Sequence, residues 1–223
     1  FALISTKKAE QNKVWVGLSK ETAHQLGTPI SSLMAWMDLL ESSGVDPSLL
    51  SDMNKDVNRL SVIAERFSKI GSKPEMELIY VNEVLENATE YMRRRVSDKV
   101  LITTHLPSDA EGAMVCLSLF EWVIENLCKN AVDAMNGEGR IDVYMTSEKQ
   151  QIYIDIKDTG KGIARKNFKT VFNPGYTTKK RGWGLGLTLA KRIIEDYHAG
   201  RIYVKDSEVG KGTTFRIELK RVV

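Results

Sequence analysis

KETAHQLGTPISSL, running from Lys20 to Leu33, sets a histidine in the middle of a helical pattern and a proline five residues after it. Apolar residues recur around it at Ala23, Leu26, Ile30, Leu33, Met37 and Leu40. Those alternating steps of three and four mark the seam of a coiled coil or helical bundle. His24 stands beside that seam, where its ring can reach solvent while the helix stays anchored. Pro29 has no N–H to offer the Gln25 carbonyl, which predicts a bend one turn past the histidine. Taken alone, this stretch fits a kinked helix with a half-buried structural histidine equally well. The rest of the chain separates the two readings.

Outward from this stretch, a first helix is expected from about Thr6 to Ser42, ended by Ser43-Gly44-Val45-Asp46-Pro47, since glycine stops one helix and proline starts the next. A second helix carries Leu50, Met53, Val57, Leu60, Ala64 and Phe67, again spaced by three and four. Two helices bury too little by themselves. A seam on both calls for a second hairpin, hence a homodimeric four-helix bundle. Gly71-Ser72-Lys73-Pro74 reads as a hinge, which sets the domains at 1–73 and 74–223.

The totals narrow the function classes. A chain of 223 residues with a formal charge of +3 gives no electrostatic reason to expect a nucleic-acid partner. No run of eighteen apolar residues is present, so no membrane-spanning segment is expected. Cys116 and Cys128 are isolated in apolar contexts without metal-ligand spacing, as core residues in a reducing compartment would be. The first residue is Phe1, already in a helical pattern, so an upstream part is expected. Charge placement says more. From Thr159 to Ile194 no acidic residue occurs among Lys161, Arg165, Lys166, Lys169, Lys179, Lys180, Arg181, Lys191 and Arg192, a one-signed segment suited to polyphosphate.

Beyond the hinge the periods mix. Helices are expected at Val81 to about Arg94, with Asn82 as N-cap, at Leu119 to Met135 and at Leu187 to Tyr197. Strands are expected at Lys99–Leu106 and Met114–Leu117, with hairpins Arg140–Thr146/Gln151–Lys157 and Arg201–Lys205/Thr213–Leu219. Helices alternating with such strands predict a two-layer α/β sandwich, a mixed sheet with helices on one face.

Four clusters in this domain carry chemistry. Asn126 and Asn130, in ENLCKNAVDAM, lie one turn apart on a helix face, where amide oxygens can hold a hard cation and phosphate oxygens. Asp158-Thr159-Gly160-Lys161-Gly162 follows a strand, so the carboxylate can accept a hydrogen bond from an exocyclic amine while the glycines allow close backbone approach. Gly182-Trp183-Gly184-Leu185-Gly186-Leu187 runs into a helix whose free N–H groups suit an anion. It has neither the βαβ context of a dinucleotide fold nor the Gly-Lys-Ser/Thr ending of a P-loop. Ahead of it, Phe172 to Lys180 forms a long polar loop able to close over a ligand. Last comes Gly210-Lys211-Gly212-Thr213-Thr214-Phe215.

The series NLCKNA, DTGKGI, FNPGYTTK, GWGLGL and GKGTTF, in that order, resembles the asparagine, glycine and phenylalanine boxes of the sensor histidine kinases of bacterial two-component systems. AHQLGTP resembles their histidine box, and the likeness covers about residues 10 to 223. It implies a dimerisation and phosphoacceptor hairpin followed by a catalytic domain of the GHKL (Bergerat) ATPase type. His24 would be the phosphoacceptor, attacking the γ-phosphorus of ATP. Asn130 would ligate Mg²⁺, supported by Asn126, and Asp158 would read the adenine amine beside Gly160 and Gly162. Thr178, Lys179, Gly182, Gly184, Leu185 and Gly186 would form the ATP lid and its phosphate-facing end. In relatives that hydrolyse ATP, a water-activating glutamate resembles the position of Asn126; an amide there suits a site that holds ATP for a nucleophile. The implied partner is a response regulator receiver domain, and the implied location is the cytoplasmic portion of a bacterial sensor, any membrane anchor lying upstream.

One position departs from that pattern. The residue after the histidine is commonly acidic, whereas Gln25 can fix an imidazole tautomer but cannot take its proton. Glu21, three residues before His24 on a similar face, is the candidate to take over part of that role. Thr28, one turn after His24, is placed to orient water for removing phosphate from the regulator. Its other reading is a hydroxyl bonded to the preceding turn. His105 and His198 read as structural, and Trp183 as a pin for the lid or an exposed aromatic. The rival functions are a degenerate kinase acting mainly as phosphatase or dimeric scaffold, for which Gln25 is the support, and a GHKL-type serine/threonine kinase, which the hairpin opposes.

Overall fold

The computed structural model describes the backbone of residues 2–72, 74–178 and 184–222, and the side chains of 17, 19–70, 72, 74–178 and 184–222. The chain divides into two compact units, Phe1–Pro74 and Glu75–Val223.

The first unit is a hairpin of α1 (Ala2–Ser42) and α2 (Pro47–Gly71), and α1 runs unbroken through Pro29. The turn is built from local chemistry. Gly44 takes φ +77°, the left-handed conformation a helix C-terminus asks for, and Val45 N–H reaches back to the Leu40 carbonyl at 3.2 Å. Asp46 then caps α2, its Oδ1 accepting from Ser48 N–H at 2.9 Å, with Pro47 in the first turn. That bond holds the Asp46 carboxyl below its ordinary range.

Packing splits the seam into two stripes. Ile30 and Met37 of α1 bury against Leu50, Val57 and Ala64 of α2, with Leu26 and Val45 at the margin. Leu33 and Leu40, seven residues apart on α1, remain exposed, as do Met53 and Leu60 on α2. Half of each heptad's apolar pair serves the hairpin, and the other half faces outward.

The second unit is a seven-stranded sheet of order β1-β3-β7-β5-β4-β2, with β6 also beside β7. The strands are β1 (Glu77–Tyr80), β2 (Val100–His105), β3 (Gly112–Val115), β4 (Gly139–Glu148), β5 (Gln151–Asp158), β6 (Arg201–Glu208) and β7 (Gly212–Val222). Among the described residues only β2 and β4 pair in parallel; both expected hairpins, β4–β5 and β6–β7, pair antiparallel. The helices are α3 (Val81–Arg93), α4 (Leu117–Ala134) and α5 (Gly186–Arg192), the last continued by a π-turn, Ile193–Tyr197. Alternation of period two selects the buried face: Ile141, Val143 and Met145 on β4, Ile152, Ile154 and Ile156 on β5, Phe215, Ile217 and Leu219 on β7. The opposite face is polar, with Asp155 clamped by Arg216 through two contacts of 2.7 Å and by Lys205 at 2.6 Å.

Several expectations need correction. Asn82 is not a cap: α3 begins at Val81, whose N–H bonds the Glu111 carbonyl, and Asn82 Oδ1 accepts from Glu111 N–H. The residue leading into β3 satisfies that helix end. Strand β1 was not anticipated, β3 lies two residues earlier than expected, and the last helix is interrupted by the π-turn. Cys116 and Cys128 are both buried and free; burial, aided by Glu125, pushes the Cys128 thiol up to about 12, which makes it packing material.

Candidate functional site

In the second unit a cavity of about 420 Å³ opens where the C-terminal half of α4, the end of β5 and the start of α5 meet. Asn126 and Asn130 enter it from α4, Asp158 from β5, and Thr178, Gly184, Leu185 and Gly186 from the lid and the start of α5. Gly162 lines it as well; Gly160 does not. Lys179 and Gly182, together with Trp183, lie outside the described residues.

Asp158 is the deepest polar group, 3% exposed. Its Oδ1 accepts from Gly160 N–H at 2.8 Å and from Thr213 N–H at 3.3 Å. Its Oδ2 makes no hydrogen bond among the described residues, which leaves one carboxylate oxygen to the cavity. Burial raises the carboxyl above its ordinary range, against the pull of those two N–H donors. Around it Ile163, Val171, Leu187 and Phe215 give an apolar lining, fixed by the edge-to-face pair Phe172–Phe215 at 6.1 Å. A planar, apolar-faced group with an amine at its edge fits this end.

The other end is built for anions and a cation that brings its own ligands. Asn126 Nδ2 is buried without a hydrogen-bond partner among the described residues, a state that suits an acceptor such as a phosphate oxygen. A Cβ on Gly186 would fall on the Asn126 amide, so glycine there lets that amide keep its place beside the start of α5. Among the described residues no cluster of three His, Cys, Asp or Glu could hold a metal by itself. An Mg²⁺ ion shared with a polyphosphate would fit this donor set, Asn130 being the residue that would offer an amide oxygen.

The DTGKGI loop is stitched in place by backbone bonds. Lys161 N–H donates to the Ala134 carbonyl at 3.0 Å and Gly210 N–H to the Lys161 carbonyl at 2.8 Å. Gly162, at φ +71°, passes so close to the Glu208 carbonyl that a side chain could not fit, and a Cβ on Gly160 would meet the Ala134 backbone at 2.8 Å. These glycines therefore answer a packing need of the loop itself. Lys161 Nζ donates to Thr178 Oγ1 at 2.8 Å, tying this loop to the lid. Lys161, Thr213 and Phe215 stood inside quoted motifs without being assigned to the site. Ile163 and Tyr176 likewise fall inside DTGKGI and FNPGYTTK without being assigned to the site, and Val171 lies outside every quoted motif.

On the first unit, His24, Glu21, Gln25 and Thr28 are all exposed on α1. Gln25 Nε2 donates to Glu21 Oε1 at 2.6 Å, so the carboxylate expected to serve His24 is engaged by the neutral residue beside it. Thr28 makes no side-chain bond to the preceding turn among the described residues; its carbonyl accepts from Ser32 Oγ at 3.2 Å. His105 bonds Asp142 at 3.1 Å, and His198 is buried between the Cys116 N–H and the Ile193 carbonyl. Both are structural.

The chain thus has two parts, a helical hairpin and an α/β domain whose cavity suits a nucleotide. Residues 116–223 match the family described as histidine kinase-, DNA gyrase B-, and HSP90-like ATPase. The chain is 26% identical over 220 residues to sporulation kinase A of Bacillus subtilis, an alignment covering 96% of this chain and 36% of that protein. It therefore spans about a third of that relative's length. In fold it is similar to full-length ShkA solved in complex with AMPPNP (TM-score 0.71, 19% identity, 93% of this chain and 46% of that one). It is also similar to histidine kinase ThkA in complex with response regulator protein TrrA (TM-score 0.63, 19% identity, 97% and 65%). Residues 116–223 of the second unit are thus similar to the histidine kinase-, DNA gyrase B-, and HSP90-like ATPases, and the chain as a whole is similar in sequence to part of a sporulation kinase.

Proposed function

We propose that the chain is an ATP-dependent histidine autokinase that phosphorylates His24 and passes the phosphoryl group to an aspartate of a response regulator. One observation carries the reading: a single chain joins an exposed histidine on a helical hairpin to a cavity with a buried carboxylate, an apolar lining and an orphaned amide. Asp158 accepts the adenine amine, the apolar end takes the ring, and Asn126 and Asn130 meet the triphosphate. Mg²⁺, when bound, neutralises phosphate charge. A neutral imidazole nitrogen of His24 attacks the γ-phosphorus; the N–P bond forms, the bond to the β–γ bridging oxygen breaks, and ADP leaves with that electron pair. Asn126, an amide, has no basic group with which to activate water for hydrolysis. The apolar stripe left exposed on the hairpin supports a homodimer, and Thr28 supports a phosphatase activity toward the regulator.

A second reading is favoured by the Gln25–Glu21 bond, which leaves no carboxylate bonded to His24 among the described residues: a protein acting mainly as phosphatase or dimeric scaffold. Incubating the chain with Mg²⁺ and γ-labelled ATP decides between them. Label lost in acid, kept in alkali and absent from His24→Ala is the expected result. Nucleotide binding without label transfers the case to the second reading, and acid-stable label on a partner to a serine/threonine kinase.

A further inference from the structure

Between α1 and α2 runs a groove of about 440 Å³ that contains His24. From α1 it is lined by Lys20, His24, Gly27 and Ser31, and from α2 by Ser61 and Glu65. The α1 members are spaced four, three and four residues apart, so they share one helical face. Glu21 and Gln25 do not line this groove; they are bonded to each other on the neighbouring face.

The charges in the groove are unequally matched. Glu65 is paired with Lys69 at 2.9 Å. Lys20 is exposed and makes no ion pair or hydrogen bond among the described residues. It stands one turn before His24, a spacing at which helix side chains meet. Gly27 stands almost one turn after His24, and a Cβ there would meet nothing within 4 Å. No packing need explains a glycine at that point, and glycine in a helix interior weakens the helix. What Gly27 leaves is open space beside the imidazole, on the side of the groove where the Ser31 and Ser61 hydroxyls offer further donors.

We propose that this groove seats the phosphoryl group carried by His24 and that Lys20 is the cation that holds it there. The inference rests on His24 being the phosphoacceptor and adds the residue that balances the product's charge. A phosphoryl group on imidazole brings negative charge onto an exposed helix face. An ammonium on a flexible stem, with three donors and no ion pair among the described residues, forms charge-assisted hydrogen bonds to its oxygens, while Glu65 across the groove is held by Lys69. Lys20 acts on the transferred group and not on the nucleotide pocket, so its loss affects phosphorylation of the histidine without affecting nucleotide affinity.

The test uses the whole chain, Lys20→Met and Lys20→Arg, each checked for an unchanged far-UV melt and for binding of a non-hydrolysable ATP analogue. At saturating Mg²⁺ and γ-labelled ATP, Lys20→Met should label His24 roughly ten- to a hundredfold more slowly, the range of a hydrogen bond to a charged group. Lys20→Arg should recover most of the rate. Raising salt should slow the unaltered chain more than Lys20→Met, because only the former uses the ammonium. Lys20→Met at the unaltered rate and plateau would overturn the proposal while leaving the phosphoacceptor in place. An unaltered chain that binds nucleotide yet never forms acid-labile phosphate would remove the phosphoacceptor, and this inference with it.

Discussion

The Asp158 carboxylate ends β5 almost sealed from solvent at 3% exposure, with Oδ1 taken by two backbone N–H groups. Desolvation is the main influence on it and raises its pKa. A raised folded-state pKa means the native chain holds that proton more tightly than the unfolded chain does. Ionisation of Asp158 therefore costs stability above the folded pKa, and the cost is relieved as pH falls through it toward the unfolded value. Nucleotide binding runs the other way, because the charged carboxylate is the better acceptor for an amine. Two results are expected together. Asp158→Asn should melt at a higher temperature than the unaltered chain at neutral pH without nucleotide, and should bind ATP about ten- to a hundredfold more weakly. In the unaltered chain nucleotide affinity should fall with acidification at a pH above the ordinary aspartate range, and that fall should be missing in the variant. Calorimetric titration across pH measures the affinities, and an acid limb shared by both proteins would assign it to another group.

At the scale of elements, the site depends on how α4 is held, because α4 carries both Asn126 and Asn130. The N-terminus of α4 is satisfied in part by His198 from the far end of the α5 segment. Cys116 N–H donates to His198 Nε2 at 3.0 Å, while Nδ1 bonds the Ile193 carbonyl at 2.7 Å. This arrangement requires neutral imidazole with its proton on Nδ1, and burial lowers the His198 pKa. The unfolded chain then takes up the proton first, so this contribution is complete above the ordinary histidine range and shrinks as pH falls through and below about 6.5. His198→Leu should lower stability by about 1–3 kcal/mol, the cost of leaving a buried N–H unpaired, and should flatten the decline in melting temperature between neutral and mildly acidic pH. A decline of unchanged steepness would show that His198 is not its source. The same junction shows what the chain's pattern could and could not reveal. Helices α1, α2 and α4 and strands β4 to β7 were legible because each carries a long, one-sided apolar period. Asp158, the asparagine pair and the glycine runs were legible because each needs its residue type at a fixed spacing. The His198 bond, the capping of α3 by the residue ahead of β3 and the apolar wall at Val171 were not, since they join residues far apart in sequence whose local patterns are unremarkable. Strand β1, at four residues, is too short to establish a period.

At the scale of the molecule, the hairpin leaves its hydrophobic work half done. Within the chain Ile30, Met37, Leu50, Val57 and Ala64 close one stripe. The other stays open, with Leu33 at 42%, Leu40 at 38%, Met53 at 50% and Leu60 at 41% exposure. These residues recur every seven positions on both helices, the repeat of a bundle seam, and they are joined by Met34, Trp36 and Leu39 on α1. A second copy presents the same stripe, so a two-fold pairing of hairpins covers all four helices at once. A leucine buried in full contributes about 1.5–3 kcal/mol; pairing covers the 42% of Leu33 and 41% of Leu60 still exposed, about 0.6–1.2 kcal/mol each, and two per chain count twice across a symmetric interface. Leu33→Glu combined with Leu60→Glu should therefore raise the dimer dissociation constant by about two to three orders of magnitude. Neither residue lies in the buried stripe, so the variant should keep its helix content, and its nucleotide affinity should match the unaltered chain because the cavity belongs to the other unit. Sedimentation equilibrium over a range of concentrations measures the first quantity and nucleotide titration the second. A double variant that sediments as the unaltered chain does, whether both are dimers or both monomers, would place the contact elsewhere or remove it. A monomer with intact nucleotide binding would instead permit a further measurement: whether His24 labelling has become first or second order in protein, which reports whether the phosphoryl group moves within one chain or between two.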